Sequence, residues 1–216
     1  MKEIVTIFFG AWNYGLAHGS EFIHALQEHI ILVSIAMTVA IAFCVPLGIW
    51  TSRSRLVSLA AMNTINTLRV IPSLAVLFLI IPYFGLSTTS AAFALILLAM
   101  PPVLINTDAA FRNLPDSVLE AARGMGMKKS QILWRIEFPL ALPVILTGMR
   151  ISAVEVIASA TLAAFVGSGG LGIYITRGFA LYDYSILFVG AVPVALFSLT
   201  SESLLSGLQR IIAYPR

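Results

Sequence analysis

Charged residues stand where this chain is otherwise apolar: Arg69, Glu155 and Glu202 inside hydrophobic runs, with Asp108 and Arg150 toward the ends of such runs. A charge at a helix centre in lipid costs about 2.5–3.5 kcal/mol on insertion scales, so such residues face a bundle interior or a water-filled cavity. Two uses fit them. They line a pathway for a polar solute, or they form internal ion pairs that fix helix packing, as Arg69 and Glu155 could by sign. Other chemistry-like patterns fail on context. Gly167-Ser168-Gly169-Gly170-Leu171-Gly172 spells G-x-G-x-x-G, but a dinucleotide fingerprint must join a strand to a helix. Here the run follows a long apolar segment, and Gly167, Gly169, Gly170 and Gly172 are read as a tight turn or close-packed gate on the outer side. The stretch "GMGMKKS" (124–130) lacks the spacing of a phosphate loop. His18, His24 and His29 share no metal spacing with carboxylates on one helix face and read as interfacial residues. The single cysteine, Cys44, excludes an internal disulfide and a Cys-x-x-Cys site. No catalytic residue, metal or cofactor is expected in this chain, so it is not read as an enzyme.

The elements that must position these charges are helices in lipid. Hydrophobic residues make up 59% of the 216 positions and charged residues 11%, with a mean hydropathy of +0.95. A soluble domain carries about 25% charged residues, so the composition points to an all-α integral membrane protein. A spanning helix needs about 20 mostly apolar residues. Runs of this kind lie at 30–50, 56–84, 89–111, 140–166 and 184–211. Arg69 and Pro72 interrupt the second, which gives five spans, or six if it splits into two crossings. Residues 1–26 suit an extracytoplasmic, interfacial segment, because Phe8, Phe9, Trp12 and Tyr14 are residues of the headgroup level. The spans then occupy 27–212. Small residues at four-residue spacing in the fourth span (Gly148 and Ser152, Ser159 and Ala163, Ala160 and Ala164) mark close helix packing, within the bundle or across a dimer seam.

Basic residues set the orientation. With five spans, Arg53, Arg55, Arg112, Arg123, Lys128, Lys129, Arg135, Arg210 and Arg216 share one side, nine of thirteen. The positive-inside rule places that side in the cytoplasm and the N-terminus outside. The net charge of +3 follows from this asymmetry and does not indicate nucleic acid.

Between the third and fourth spans, 112–139 forms a charged cytoplasmic loop. "EAARGMGMKKSQILWRIEFP" (120–139) holds six charges in twenty residues. Pro115 and Asp116 favour a helix start, which predicts a helix over 116–123. Gly124 and Gly126 permit the left-handed turn that ends it. Ser130 is a candidate cap for a second helix to 138, stopped by Pro139. Val118, Ala122 and Met125 would share one apolar face, and Ile132, Leu133 and Ile136 another. The result is a helical knob suited to docking.

These residues resemble the EAA loop of ABC importer permeases, the inner-membrane components of binding-protein-dependent transport systems. The family pattern is E-A-A, three residues, G, nine residues, I, one residue, L-P. Glu120, Ala121, Ala122, Gly126, Ile136 and Pro139 stand at those spacings, with Phe138 in place of leucine. The stretches "NTLRVIPSLAVLFLIIP" (66–82) and "FVGSGGLG" (165–172) resemble permeases for osmoprotectants such as glycine betaine, carnitine or choline. The resemblance implies a bacterial inner-membrane location and a five-span permease bundle with a cytoplasmic coupling loop. It also implies a second permease subunit, identical or paralogous, separate cytoplasmic ATPase subunits that use the ATP, and an extracellular substrate-binding protein. An importer for an amino acid or other small solute is the near alternative. A self-sufficient channel, a secondary transporter or a membrane anchor would leave the docking loop without a task. The topology predicts that cysteines placed at Ser130 and Ser87 react with an impermeant maleimide from opposite faces of the membrane. Labelling of Ser130 from outside intact cells would reverse the orientation.

Overall fold

The protein, a computed structural model, is described over residues 2–213. Arg216, counted above among the basic residues, lies outside them. In chain order the helices are α1 (Lys2–Ala17), α2 (Gly19–Thr51), α3 (Arg55–Arg69), α4 (Ser73–Phe84), α5 (Thr88–Arg112) and α6 (Asp116–Gly124). Then come α7 (Lys129–Ile132), a π-helical stretch Leu133–Glu137, α8 (Phe138–Ser159), a 3-10 stretch Ala160–Val166, α9 (Gly172–Leu181) and α10 (Tyr184–Ala213). Four segments are long and apolar enough to cross a membrane: Gly19–Thr51, Thr88–Arg112, Lys129–Val166 and Tyr184–Ile212. Helices α3 and α4 are long and apolar enough only when taken together, and they are bent by 92° at their junction. The bend falls at Pro72, which lacks an amide donor and disfavours helix in the residue before it.

Helix α2 shows how the sequence selects its faces. Ile31, Ile35, Val39 and Phe43 recur every four residues and are exposed, while His29, Val33, Ala36, Ala40, Cys44 and Gly48 are buried. The outward face carries large apolar side chains, and the inward face is mostly small, with His29, Leu32 and Val33 among the alanines. That is the pattern expected where lipid accepts apolar groups and the interior rewards close backbone approach. Helix α5 is the centre of the bundle, packed between α2 and α8, with α4 also against it. Its buried residues run from Ser90 to Phe111. The Ser152 hydroxyl on α8 donates to the Ala99 carbonyl on α5 at 2.8 Å, the kind of interhelical bond that replaces solvent-driven adhesion in lipid.

Two local expectations are corrected. Pro139 does not stop a second loop helix. The chain runs as helix from Lys129 through the π-helical stretch Leu133–Glu137 into the span, and the widened turn just before Pro139 accommodates its ring and its missing amide donor. Lys128, and not Ser130, stands at the N-cap, with the Gln131 side chain accepting from its amide at 2.8 Å. At the other end, α1 turns at His18 and lies along α10. Phe8 meets Phe188 edge-on at 5.6 Å, and Gly10 abuts Ser185.

The small-residue stripe on α8 does serve close approach within the bundle. A Cβ at Gly148 would lie 2.6 Å from the Asn106 Cβ and 2.7 Å from the Pro102 carbonyl oxygen on α5. At Gly207 a Cβ would meet nothing within 4 Å. Gly148→Ala is therefore expected to destabilise by about 1–3 kcal/mol through overpacking. Gly207→Ala is expected to be neutral or stabilising by about 0.5–1 kcal/mol, as alanine favours helix over glycine. Thermal melts of the detergent-purified protein check both, and equal melting temperatures would refute the packing role of Gly148.

Candidate functional site

The knob between α5 and α8 owes its shape to one turn. At the end of α6 the Met127 amide donates to the Ala122 carbonyl at 3.2 Å, and the Gly126 amide donates to the Arg123 carbonyl at 2.9 Å. These two bonds define a Schellman cap, which needs a left-handed residue between them. Gly126 supplies it with φ +73°. A Cβ there would meet nothing within 4 Å, so the demand for glycine comes from backbone conformation and not from crowding. Ala122 is fully buried beneath the cap, whereas Glu120 and Ala121 are exposed on the outer face of α6. Ile136 is half-buried and Pro139 exposed. The apolar face predicted for 118, 122 and 125 is not a packed one. Val118 and Met125 are exposed, and so is Trp134, whose ring leans on Phe138 at 5.3 Å.

Sequence reading missed what holds the knob. Glu137, in the π-helical stretch, accepts two bonds from Arg53 of the α2–α3 connection, at 2.9 and 2.5 Å. The Glu137 side chain is only 7% exposed and that of Arg53 48%. The Arg53 guanidinium also lies over the Phe111 ring, 5.8 Å from its centroid. Hydrogen bonding to Glu137 raises the Arg53 pKa above its already high value, so the pair does not open from the arginine side at ordinary pH. Beside it, the buried Asp108 carboxylate accepts from the Thr51 hydroxyl at 2.9 Å and the Ser58 hydroxyl at 2.8 Å. Arg112 donates to Ser58 at 2.5 Å and stands 3.9 Å from Asp108. Both clusters bind the connection after α2 to the end of α5 and the start of α8. No spacing rule links residues 84 positions apart such as Arg53 and Glu137; only their opposite signs were visible.

The intramembrane charges sort differently from the expected pairing. Arg69 and Glu155 do not pair. They line one cavity of about 200 Å³ at the α3–α4 break, with Ser73, Pro101 and Ser159. Glu202 pairs instead with Arg150, at 2.9 Å. Arg150 also donates to Gln209 at 2.9 Å, and the Gln209 amide donates to the Pro143 carbonyl at 3.0 Å, which ties α10 to α8.

At the end of the bundle away from the knob, the 3-10 stretch terminates in Gly167 (φ +71°), and Gly169 (φ +80°) and Gly170 (φ +79°) continue the turn. The Gly170 amide donates to the Glu28 carboxylate at 2.9 Å. A Cβ on Gly169 would collide with that carboxylate, and one on Gly172 with the Thr161 carbonyl. His29 is not interfacial as expected. It is fully buried, and its Nε2 donates to the Ile157 carbonyl at 3.2 Å. That bond uses a carbonyl near the end of α8 and explains how a polar ring is accommodated there.

The class defined by this architecture is an all-helical, membrane-spanning bundle. The fold matches a solved structure of the MetNI methionine ABC transporter in an inward-facing conformation, with TM-score 0.81 and 19% identity, over 91% of this chain and 98% of that one. Residues 44–213 match the family described as binding-protein-dependent transport system inner membrane component, and the chain belongs to it. Similar proteins include the carnitine transport permease protein OpuCB of Listeria monocytogenes, 37% identical over 97% of this chain and 93% of that protein. The choline transport system permease protein OpuBB of Bacillus subtilis is 35% identical over 89% of each.

The unequal burial of Arg53 and Glu137 gives an asymmetric prediction. Arg53→Ala strands a buried carboxylate, which costs about 3–5 kcal/mol when a buried pair is broken. Glu137→Gln leaves an arginine that water still reaches, and the loss is expected to be smaller. The double variant should recover part of the Arg53→Ala loss. A double-mutant cycle on thermal stability measures the coupling, and additive single effects would show that the pair does not hold the knob.

Proposed function

We propose that this chain is the membrane permease of an ATP-driven importer for a quaternary-ammonium osmoprotectant such as glycine betaine, carnitine or choline. The observation that carries the substrate class is the near full-length similarity to permeases named for carnitine and for choline. The N-terminus lies outside and the knob and C-terminus in the cytoplasm, a reading supported by the clustering of basic residues around the knob. The ATP is used by separate subunits that dock on the knob. A second permease subunit, this chain again or a paralogue, completes the pathway, and an extracellular binding protein delivers the solute.

In this mechanism the ATPase pair closes and displaces α6. The Schellman cap and the Arg53–Glu137 clamp make the knob move as one body. The helix from Lys129 into the span carries the displacement into the bundle without a break, because the π-helical stretch keeps the backbone hydrogen-bonded. The bundle then alternates the access of its cavity by rigid-body rocking. Exposed Glu120 offers a charge to the partner, Ala121 a close approach, and Met125 and Trp134 apolar contact. The Arg69–Glu155 cavity belongs to the path of the solute in this reading.

Gly126→Val tests the coupling role. Valine in a left-handed conformation is strained by about 1–3 kcal/mol, and the site lies outside the spans. The variant is expected to reach the membrane at near-normal levels, to capture the ATPase weakly in a pull-down and to lose most ATP-driven uptake of labelled glycine betaine and choline. Glu120→Ala should show a milder loss, since one exposed charge contributes about 0–1 kcal/mol. Retention of both partner and transport by Gly126→Val would remove the knob from the mechanism.

A further inference from the structure

A chamber of about 690 Å³ opens at the end of the bundle away from the knob, between the start of α2, the glycine turn and α9. Its size falls within the range of small-molecule sites, about 300–1,000 Å³. Ser168 lines it with only 5% of its surface exposed, and its hydroxyl has no hydrogen-bond partner. A buried hydroxyl left unpaired is unfavourable by about 1–3 kcal/mol, so a polar partner within its reach would be stabilising. Two carboxylates line the same chamber. Glu28 is held in place by the Gly170 amide at 2.9 Å and stands 3.3 Å from His24. Glu21 makes no ion pair among the described residues. Tyr174 contributes a buried ring to the wall, and Arg177, bonded to the Tyr14 hydroxyl at 3.2 Å, stands at its edge.

We infer that this chamber is a substrate subsite for a small quaternary-ammonium solute, on the side from which the solute enters; the inference rests on the osmoprotectant reading above. A quaternary nitrogen carries no N–H and cannot donate a hydrogen bond. It is recognised by negative potential and by aromatic faces. Glu21, Glu28 and Tyr174 supply both. Ser168 and Arg177 supply the opposite polarity, a hydroxyl and a guanidinium that can donate to the carboxylate of a betaine or the hydroxyl of choline. Because Glu28 is also the group that holds the glycine turn, an occupied chamber would contact the same carboxylate that fixes the end of the fourth span.

The test uses the whole permease–ATPase complex in proteoliposomes. Cys44 is the sole cysteine and is buried; it is replaced by alanine, and Ser168→Cys is introduced. The probes are a methanethiosulfonate reagent bearing a trimethylammonium group and a neutral one of similar size. Without binding protein present, the cysteine should react with both, and choline and glycine betaine should slow the reaction. Added Glu21→Gln should raise the choline concentration for half-protection about tenfold and leave the neutral reagent's rate in the unliganded complex unchanged. An unreactive cysteine, no protection at saturating choline and glycine betaine, or protection indifferent to Glu21→Gln would each overturn the subsite while leaving the osmoprotectant reading intact. Failure of the wild-type complex with its binding protein to import any quaternary ammonium would overturn that reading and the subsite with it. Loss of binding-protein capture in Glu21→Gln with protection by choline unchanged would assign the chamber to docking and also overturn the subsite.

Discussion

Lipid removes the solvent-driven force that gathers apolar helices in water, and the whole architecture depends on what replaces it. In this chain the replacement is close backbone contact. Alanines recur on the inner faces of α2, α5 and α8, joined by Gly48 and Gly148, with larger residues such as Leu32, Leu95, Leu104, Ile145 and Ile157 filling the spaces between them. A bundle held in this way tolerates little added volume, as the Gly148 contact with α5 shows. It also gains more from a few directed polar contacts than a soluble core would, because an unsatisfied polar group in lipid has no water to turn to.

Those directed contacts are concentrated at two levels. At the knob end, Arg53–Glu137 and the Asp108 cluster lock three elements that are distant in sequence. At the far end, Glu28 and His29 hold the glycine turn and the end of α8. Between them the bundle is apolar apart from isolated groups such as the Arg69–Glu155 cavity. The directed polar contacts are therefore placed at the two ends of the bundle.

The family relation agrees with this physical picture without replacing it. The matched region, 44–213, begins inside α2 and takes in the knob and every later helix. It leaves out α1 and the first part of α2, including Glu21 and Glu28, which line the far chamber. The relatives extend further than the family model, since the carnitine permease of Listeria monocytogenes aligns over 97% of this chain.

Much of the fold was legible in the residues, because lipid imposes a length and a composition on each span. The run lengths marked the spans, Pro72 marked the break in the second, and the glycines after α6 marked a turn that the backbone could make only with φ positive. The loop between α5 and α8 stood out by its charge and spacing. What the sequence misjudged was local context. Pro139 was taken for a stop, although proline ends one helix or begins another depending on which side the chain continues, and here the turn before it was already helical. His29 was placed at the interface by its polarity, but a carbonyl near the end of α8 offered it a buried partner. The pairings were beyond reach for a different reason. Residue types specify sign and hydrogen-bonding capacity, and only the packing of helices decides which opposite charges meet. So Glu202 found Arg150 and Glu137 found Arg53. Arg69 and Glu155, the pair that sign alone suggested, were left to face a shared cavity.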